Sequence, residues 1–233
     1  MKLTWTVALG AGLCASLLAA EEPTTLKTDK DKTSYSIGMD IGRSLKAQGL
    51  DLNPEVLAAG LRDMLTGRKT VLTEEQAQEV LITFKKDLVS KREATRKEAA
   101  EKNAKEGAAF LAENKKKDGV KVTASGLQYK IITAGKGKTP KATDAVKAHY
   151  RGTLIDGTEF DSSYKRNEPA TFPVDGVIPG WTEALQLMPV GSKWQLFIPG
   201  HLAYGEGGAG PTIGPNATLV FDVELLSIEA KPN

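Results

Sequence analysis

A long stretch without proline constrains the fold more than any other feature of the sequence. Residues 73–118 contain no proline and are rich in Lys, Arg, Glu and Ala, which are strong helix formers. Opposite charges four residues apart, such as Glu93 and Lys97, add to helix stability. We therefore predict one helix over this range, about 65 Å long at a rise of 1.5 Å per residue. Its surface from Lys91 to Lys105 is polar on all sides, which is typical of a solvent-exposed spacer, and apolar residues return at Phe110 and Leu111.

The preceding residues 34–72 carry apolar side chains at helical spacing. Asn53 followed by Pro54 marks a helix start, because Asn caps the first turn and Pro tolerates its first position. Two short helices cannot bury their apolar stripes by themselves. We therefore predict a helical dimerisation domain at 34–72, with contacts through residues 34–90. A monomeric three-helix cap is the alternative.

The first twenty residues differ from the rest of the chain. Lys2 is followed by an uncharged stretch rich in Leu, Ala and Val, which ends at Glu21. This pattern predicts a signal peptide at 1–20 and export to the periplasm, with outer-membrane association left open. A membrane anchor is the alternative. The only cysteine of the sequence, Cys14, lies inside this segment, and residues 21–33 are predicted to form a flexible leader.

Residues 119–233 show the sequence pattern of a β-rich domain. Ala145 to Leu154 alternates apolar and polar side chains, and Asp156-Gly157 is a hairpin turn signal. A short helix is predicted at 181–187, before Pro189. The C-terminal domain is therefore predicted to be α+β, with a sheet packed on one helix.

Several kinds of chemistry are disfavoured by the sequence. The formal net charge is +2, so nothing favours nucleic acid as a partner. His149 and His201 lack a second ligand at metal spacing, and we predict neither a metal nor a cofactor. The glycine-rich segment 205–210 lacks the Lys-Ser/Thr of a phosphate-binding loop and is predicted to be a flexible loop. A set of aromatic residues remains, and the ordinary explanation of such a set is a hydrophobic core.

Short sequence motifs around these aromatic residues change their interpretation. The sequence reads HYRGTLIDGTEFDSS from His149, VIPGW from Val177, and LAYG from Leu202, followed by a Gly/Pro loop and PNATLVF. Together they resemble the FKBP-type peptidyl-prolyl isomerases over about Gly119 to Ile228. The N-terminal half, with SYSIGMDIGRSL from Ser34, is similar to the macrophage infectivity potentiator branch, whose members are exported V-shaped homodimers. The resemblance implies an FKBP-like twisted antiparallel sheet wrapped on a short helix, preceded by an all-α dimerisation region with a long helix.

The resemblance also implies the site residues. Four match catalytic positions: Asp161, Tyr204, Ile178 and Phe160. Five match substrate-binding positions: Tyr150, Val177, Trp181, Ile213 and Phe221. By the same resemblance, Trp181 forms the floor on which a proline ring sits, Arg166 pairs with Asp161, and Phe172 packs in the core.

The implied function is acceleration of X–Pro bond rotation in exported proteins. The implied partners are proline-containing unfolded proteins, a second copy of the chain, and macrolides of the rapamycin type. A holdase chaperone that uses the cleft of a V-shaped dimer is an alternative. A third hypothesis, a surface adhesin acting on host matrix, depends on the branch resemblance alone.

Overall fold

The computed structural model describes residues 25–229, which form two compact units, residues 25–73 and residues 74–229. The predicted signal peptide and Cys14 lie outside the described residues. Over the described part of the chain, no helix combines the length and the apolar character needed to cross a membrane.

The first unit contains helices α1 (Asp29–Ala47) and α2 (Pro54–Thr66). The flexible leader predicted at 21–33 is wrong for its last part, because α1 already begins at Asp29. The reason is a capping box, in which the Thr28 hydroxyl accepts from the Asp31 N–H at 3.1 Å and the Asp31 carboxylate accepts from the Thr28 N–H at 2.8 Å.

Helix α2 starts where its sequence predicts. The Asn53 side chain accepts a hydrogen bond from the Val56 N–H at 3.0 Å, and Pro54 takes the first helical position. The helix ends at Gly67, whose φ of 66° is left-handed. Neither α1 nor α2 contains a buried residue, so their apolar side chains remain exposed within this chain.

The second unit begins with helix α3 (Glu74–Asn114), which is unbroken over 41 residues. Its last turns pack on the sheet that follows. The rings of Phe110 and Phe197 lie 6.0 Å apart, and the Gln128 side chain donates to the Leu111 carbonyl at 2.9 Å. The buried Asn114 donates to the Gln128 side chain at 3.0 Å, which fixes the helix end against the first long strand.

Within the described residues 74–229, seven strands form one antiparallel sheet. Their order is β1-β2-β6-β7-β3-β4, and β5 also pairs with β3. The bounds are β1 (Val120–Val122), β2 (Gln128–Thr133), β3 (Ala145–Leu154), β4 (Glu159–Ser162), β5 (Ala170–Pro173), β6 (Lys193–Ile198) and β7 (Leu219–Glu229). The first half of β3 pairs with β5 and the second half with β4, so both short strands lie along the same edge.

Helix α4 (Pro179–Leu185) packs its buried face on this sheet and completes the core. It begins two residues before the predicted start, because Pro179 takes its first position and the backbone of Ile178 is still extended. Trp181, Ala184 and Leu185 are buried among side chains of the central strands. The predicted α+β class, with one helix on a twisted antiparallel sheet and a long helix before it, is confirmed.

Candidate functional site

A cavity of about 710 Å³ opens between α4, the edge strands and the loop after Tyr204. All of the residues predicted for the site line it: Tyr150, Phe160, Asp161, Val177, Ile178, Trp181, Tyr204, Ile213 and Phe221. They come from β3, β4 and β7, from α4 and the segment just before it, and from the loop between β6 and β7. The structure thus brings into one place residues that are up to 71 positions apart in the sequence.

The floor and walls of the cavity are aromatic rings set at steep angles to one another. Trp181 is only 4% exposed, and three rings meet it edge-on. The centroid of Tyr150 lies 5.5 Å from that of Trp181 at an interplanar angle of 86°, and Phe221 lies at 5.3 Å and 83°. Phe160 meets Phe221 in the same way, at 5.5 Å and 80°. Edge-to-face contacts are a favourable arrangement for aromatic pairs, so the cavity is preformed.

Phe172 belongs to this ring set, which the sequence analysis did not predict. It packs against the core as expected, but it also lines the cavity and meets Trp181 at 5.6 Å and Tyr150 at 5.6 Å. Its placement depends on β5, a short strand whose pairing with β3 turns Phe172 toward Tyr150. The assignment of Phe172 to the core alone is therefore incomplete.

The rings of Phe160 and Phe221 can both pack close to β3 because this strand has a glycine, Gly152, between them. Gly152 pairs with Phe221 on one side and with Asp161 on the other. A Cβ atom at Gly152 would lie 2.6 Å from the Phe160 ring and 2.7 Å from the Phe221 ring. Only a residue without a side chain lets both rings approach the strand this closely.

A polar network occupies one rim of the cavity. The Tyr150 hydroxyl donates to the Asp161 carboxylate at 2.5 Å and accepts from the Arg166 guanidinium at 2.7 Å. The same guanidinium donates to the other carboxylate oxygen of Asp161 at 2.5 Å. The predicted pairing of Arg166 with Asp161 is therefore present. Both partners are about half exposed, so the pair contributes little to stability and mainly orients Asp161 and Tyr150.

The network sets the protonation states at the rim. Burial by itself would raise the pKa of Asp161, but hydrogen bonds from Tyr150 and Arg166 and the positive charge of Arg166 hold it below its ordinary value. The pKa of Tyr150 is raised, first by burial and then by its hydrogen bond to the Asp161 carboxylate. At neutral pH the rim therefore presents a carboxylate, a neutral phenol and a guanidinium.

The loop after Tyr204 forms another part of the lining. Tyr204 is 42% exposed at the mouth of the cavity. The glycine-rich segment was predicted to be a flexible loop, but Ala209 and Ile213 exchange two backbone hydrogen bonds, of 2.8 and 3.1 Å, and close a tight turn. The turn places Pro211 and Ile213 on the cavity, and the sequence analysis gave no role to Pro211.

The two histidines lie away from the cavity lining. His149 stacks on Tyr164 with centroids 4.7 Å apart, and its Nδ1 lies 3.0 Å from the Ser163 hydroxyl. His201 bonds to the carbonyl of Ser125 at 3.1 Å. The cavity thus combines an apolar ring-lined interior with a charged rim, which suits the binding of an apolar ring that carries polar groups on one side.

Comparison with known proteins agrees with this description of the site. Residues 136–226 match the family model described as FKBP-type peptidyl-prolyl cis-trans isomerase. Residues 30–131 match the model described as the domain amino terminal to FKBP-type peptidyl-prolyl isomerase.

Relatives with these names extend over most of the chain. The outer membrane protein MIP of Legionella longbeachae is 53% identical over 98% of this chain and 98% of its own length. The FKBP-type 22 kDa peptidyl-prolyl cis-trans isomerase of Escherichia coli strain K12 is 50% identical over 88% of this chain and 98% of its own length. The crystal structure of FkpA from Escherichia coli matches with a TM-score of 0.69 at 42% identity, covering 89% of this chain and all of that one.

The chain therefore belongs to the FKBP-type peptidyl-prolyl cis-trans isomerases. Identity to the MIP protein over nearly the whole length places it with the macrophage infectivity potentiator-like members of that family.

Proposed function

We propose that the cavity catalyses rotation about the X–Pro peptide bond. It does so by holding the proline ring on Trp181 while that bond twists. The observation that supports this most directly is the set of rings packed edge-on around Trp181, which forms an apolar floor with aromatic walls. Tyr150, Phe160 and Phe221 act as the walls. Val177 and Ile213 contact the residues that flank the proline.

The physical problem is the resonance of the amide bond. Rotation about an X–Pro bond has a barrier near ~20 kcal/mol, because the planar form is stabilised by delocalisation. No covalent bond breaks, so the reaction needs no nucleophile. The twisted amide has lost the charge-separated resonance of the planar amide and is therefore less polar. It also gains less stabilisation from hydrogen bonds to water. An apolar cavity therefore favours it, which is binding of the transition state in preference to the substrate.

Polar groups at the rim orient the twisting bond in this proposal. The Asp161 carboxylate, fixed by Tyr150 and Arg166, lies at the rim next to the carbonyl of that bond. The backbone N–H of Ile178 and the hydroxyl of Tyr204 donate to substrate carbonyls. An increase in rate from ~10⁻² to ~10²–10³ per second requires about 5.5–7 kcal/mol of transition-state stabilisation. Desolvation and a few oriented hydrogen bonds supply an amount of this order.

A cis-to-trans assay on an X–Pro peptide, with and without rapamycin, tests this mechanism. We expect acceleration by the purified protein and loss of acceleration when the macrolide fills the cavity. Asp161→Ala and Tyr204→Phe should each lower kcat/KM while the protein stays folded. For Tyr204→Phe the loss of one hydrogen bond corresponds to about a two- to tenfold decrease.

Tyr164→Phe is the matched control. It removes a hydroxyl that donates to Glu224 at 3.0 Å and does not line the cavity. Unchanged rates in both Asp161→Ala and Tyr204→Phe would refute the assigned catalytic residues. A decrease of the same size in Tyr164→Phe would show that the assay reports general damage.

The substrates we propose are exported proteins with proline-limited folding. Export is supported by the charged and apolar start of the sequence and by the similarity to a relative named as an outer membrane protein. Residues 34–90 are proposed to form a homodimer. That proposal is supported by apolar side chains on the first unit that are far more exposed than is usual, among them Leu65 at 78% and Val71 at 94%. The holdase role stays a prediction.

A further inference from the structure

Helix α3 touches the loop that closes the cavity, not only the sheet. The Arg96 guanidinium donates to the carbonyl of Glu206 at 2.9 Å and to that of Gly207 at 3.3 Å. The Asn103 side chain donates to the carbonyl of Pro215 at 2.8 Å. The two side chains are about two helical turns apart and so lie on the same face of α3.

The loop between these anchor points is rich in glycine, and its internal backbone hydrogen bonds join Gly205 to Asn216 and Ala209 to Ile213. It uses left-handed backbone conformations at Gly205, Gly208, Gly210 and Asn216, with φ between 54° and 64°. Glycine has the largest conformational freedom to lose on ordering, so a glycine-rich loop orders only at a high entropic cost. The Gly205 carbonyl accepts from the Asn216 N–H at 2.7 Å and ties the two ends of the loop together.

The helix and the loop approach each other at separations that need small residues. A Cβ atom at Gly214 would lie 2.9 Å from the Asn103 side-chain nitrogen. A Cβ atom at Gly107, which is buried, would overlap the Thr218 hydroxyl. The contact therefore runs along α3 from Arg96 to Gly107 and meets the loop near its two ends.

The anchors flank the part of the loop that meets the cavity. Arg96 holds the carbonyls before the tight turn, Asn103 holds a carbonyl after it, and the residues between them include Pro211 and Ile213 of the lining. We propose that Arg96 and Asn103 are positioning residues of the isomerase, which hold this loop closed over the substrate. The inference depends on the cavity being the site of isomerisation.

The expected effect follows from the number of bonds lost. Each lost hydrogen bond lowers the population of the closed loop, and the apparent affinity for substrate falls with that population. Removing both anchors should raise KM by about three- to tenfold. The value of kcat should change less than twofold, because Asp161, Ile178 and Phe160 lie on other elements and Tyr204 precedes the anchored segment.

The double variant Arg96→Ala/Asn103→Ala tests the proposal in the full chain, with Arg92→Ala as the control. Arg92 lies one turn earlier on the exposed part of α3 and has no contact with the loop among the described hydrogen bonds. Two quantities are measured: KM and kcat for an X–Pro peptide, and backbone amide hydrogen exchange of residues 205–216. We expect faster exchange in that segment and a higher KM in the double variant, and wild-type values in the control.

Faster amide exchange of residues 205–216 with an unchanged KM would overturn the proposal. Amide exchange at the wild-type rate in the double variant would also overturn it. A fall in kcat without a rise in KM would show a general structural role and would also overturn it. If the double variant does not fold, the single exposed substitution Arg96→Ala carries the same expectation. Absence of isomerase activity in the wild type would refute the mechanism proposed above, whereas hydrogen exchange would still decide whether α3 holds the loop.

Discussion

The structure makes its most specific prediction for the substitution Gly152→Ala. The added methyl would lie 2.6 Å from two carbons of the Phe160 ring and 2.7 Å from one carbon of the Phe221 ring. Carbon atoms make favourable contacts at about 3.5–4.0 Å, so the overlap is about 1 Å on each ring. Phe221 is 5% exposed and fixed against Trp181, so it cannot yield outward. Phe160 is half-buried and therefore has to move into the cavity.

Two magnitudes follow from this overlap. Overpacking of this kind costs about 1–3 kcal/mol of stability, and each kcal/mol lowers Tm by roughly 2–4 °C in a domain of this size. A displacement of about 1 Å in a binding site can reduce turnover about 100-fold. We therefore expect kcat/KM for an X–Pro peptide to fall about 10- to 100-fold while the protein remains folded at 25 °C.

The assay is peptide isomerisation together with thermal unfolding followed by circular dichroism. Gly38→Ala is the matched control, because a Cβ atom there meets nothing within 4 Å and the residue lies inside helix α1. It should leave peptide turnover unchanged. A folded Gly152→Ala protein with the kcat/KM of the wild type would refute the assignment of Phe160 and Phe221 as walls of the substrate site.

Further predictions concern pH and assembly. Because the folded-state pKa of Asp161 is below its unfolded value, its contribution to stability is present above about pH 4 and is lost as pH falls through the folded pKa. We expect kcat/KM to be flat between about pH 5 and 8 and to decline only below about pH 4, and a decline that starts near pH 6 in a pH–rate profile would contradict this. Arg166→Ala removes hydrogen bonds to Asp161 and Tyr150, so it should raise the pKa of Asp161 and shift that decline to higher pH in the same profile. Light scattering of the purified protein should give twice the chain mass, and a monomeric mass would end the proposal of a dimer through residues 34–90.

Short-range features of this protein could be read from the sequence. The start of α2 follows from Asn53 and Pro54, because a cap acts on N–H groups only two or three residues away. The unbroken α3 follows from the absence of proline and from pairs one turn apart. The start of α1 was missed, although Thr28 and Asp31 carry a signal of the same short range.

The site residues were predicted through ordered motifs shared with a family. Those motifs named the side chains of the cavity, such as Trp181 and Asp161, but not how they meet. The ionic contact between Arg166 and Asp161 was expected from the same resemblance and is present at 2.5 Å. The two hydrogen bonds of the Tyr150 hydroxyl, one to each of these residues, were not predicted.

Only the tertiary structure decided how distant segments meet. The position of β5 beside β3 brings Phe172 to the cavity, and the contact of Arg96 with Glu206 joins residues 110 positions apart. Local propensity carries no information on such pairs, because their closure depends on the strand order and on the packing of the whole domain. The sequence by itself determined the helices and the class of sheet, and motifs shared with a family identified most of the lining residues, although Phe172 and Pro211 were missed. The relative placement of Gly152, the aromatic walls and the α3-anchored loop required the fold, since it depends on backbone separations of a few ångströms across strands distant in sequence.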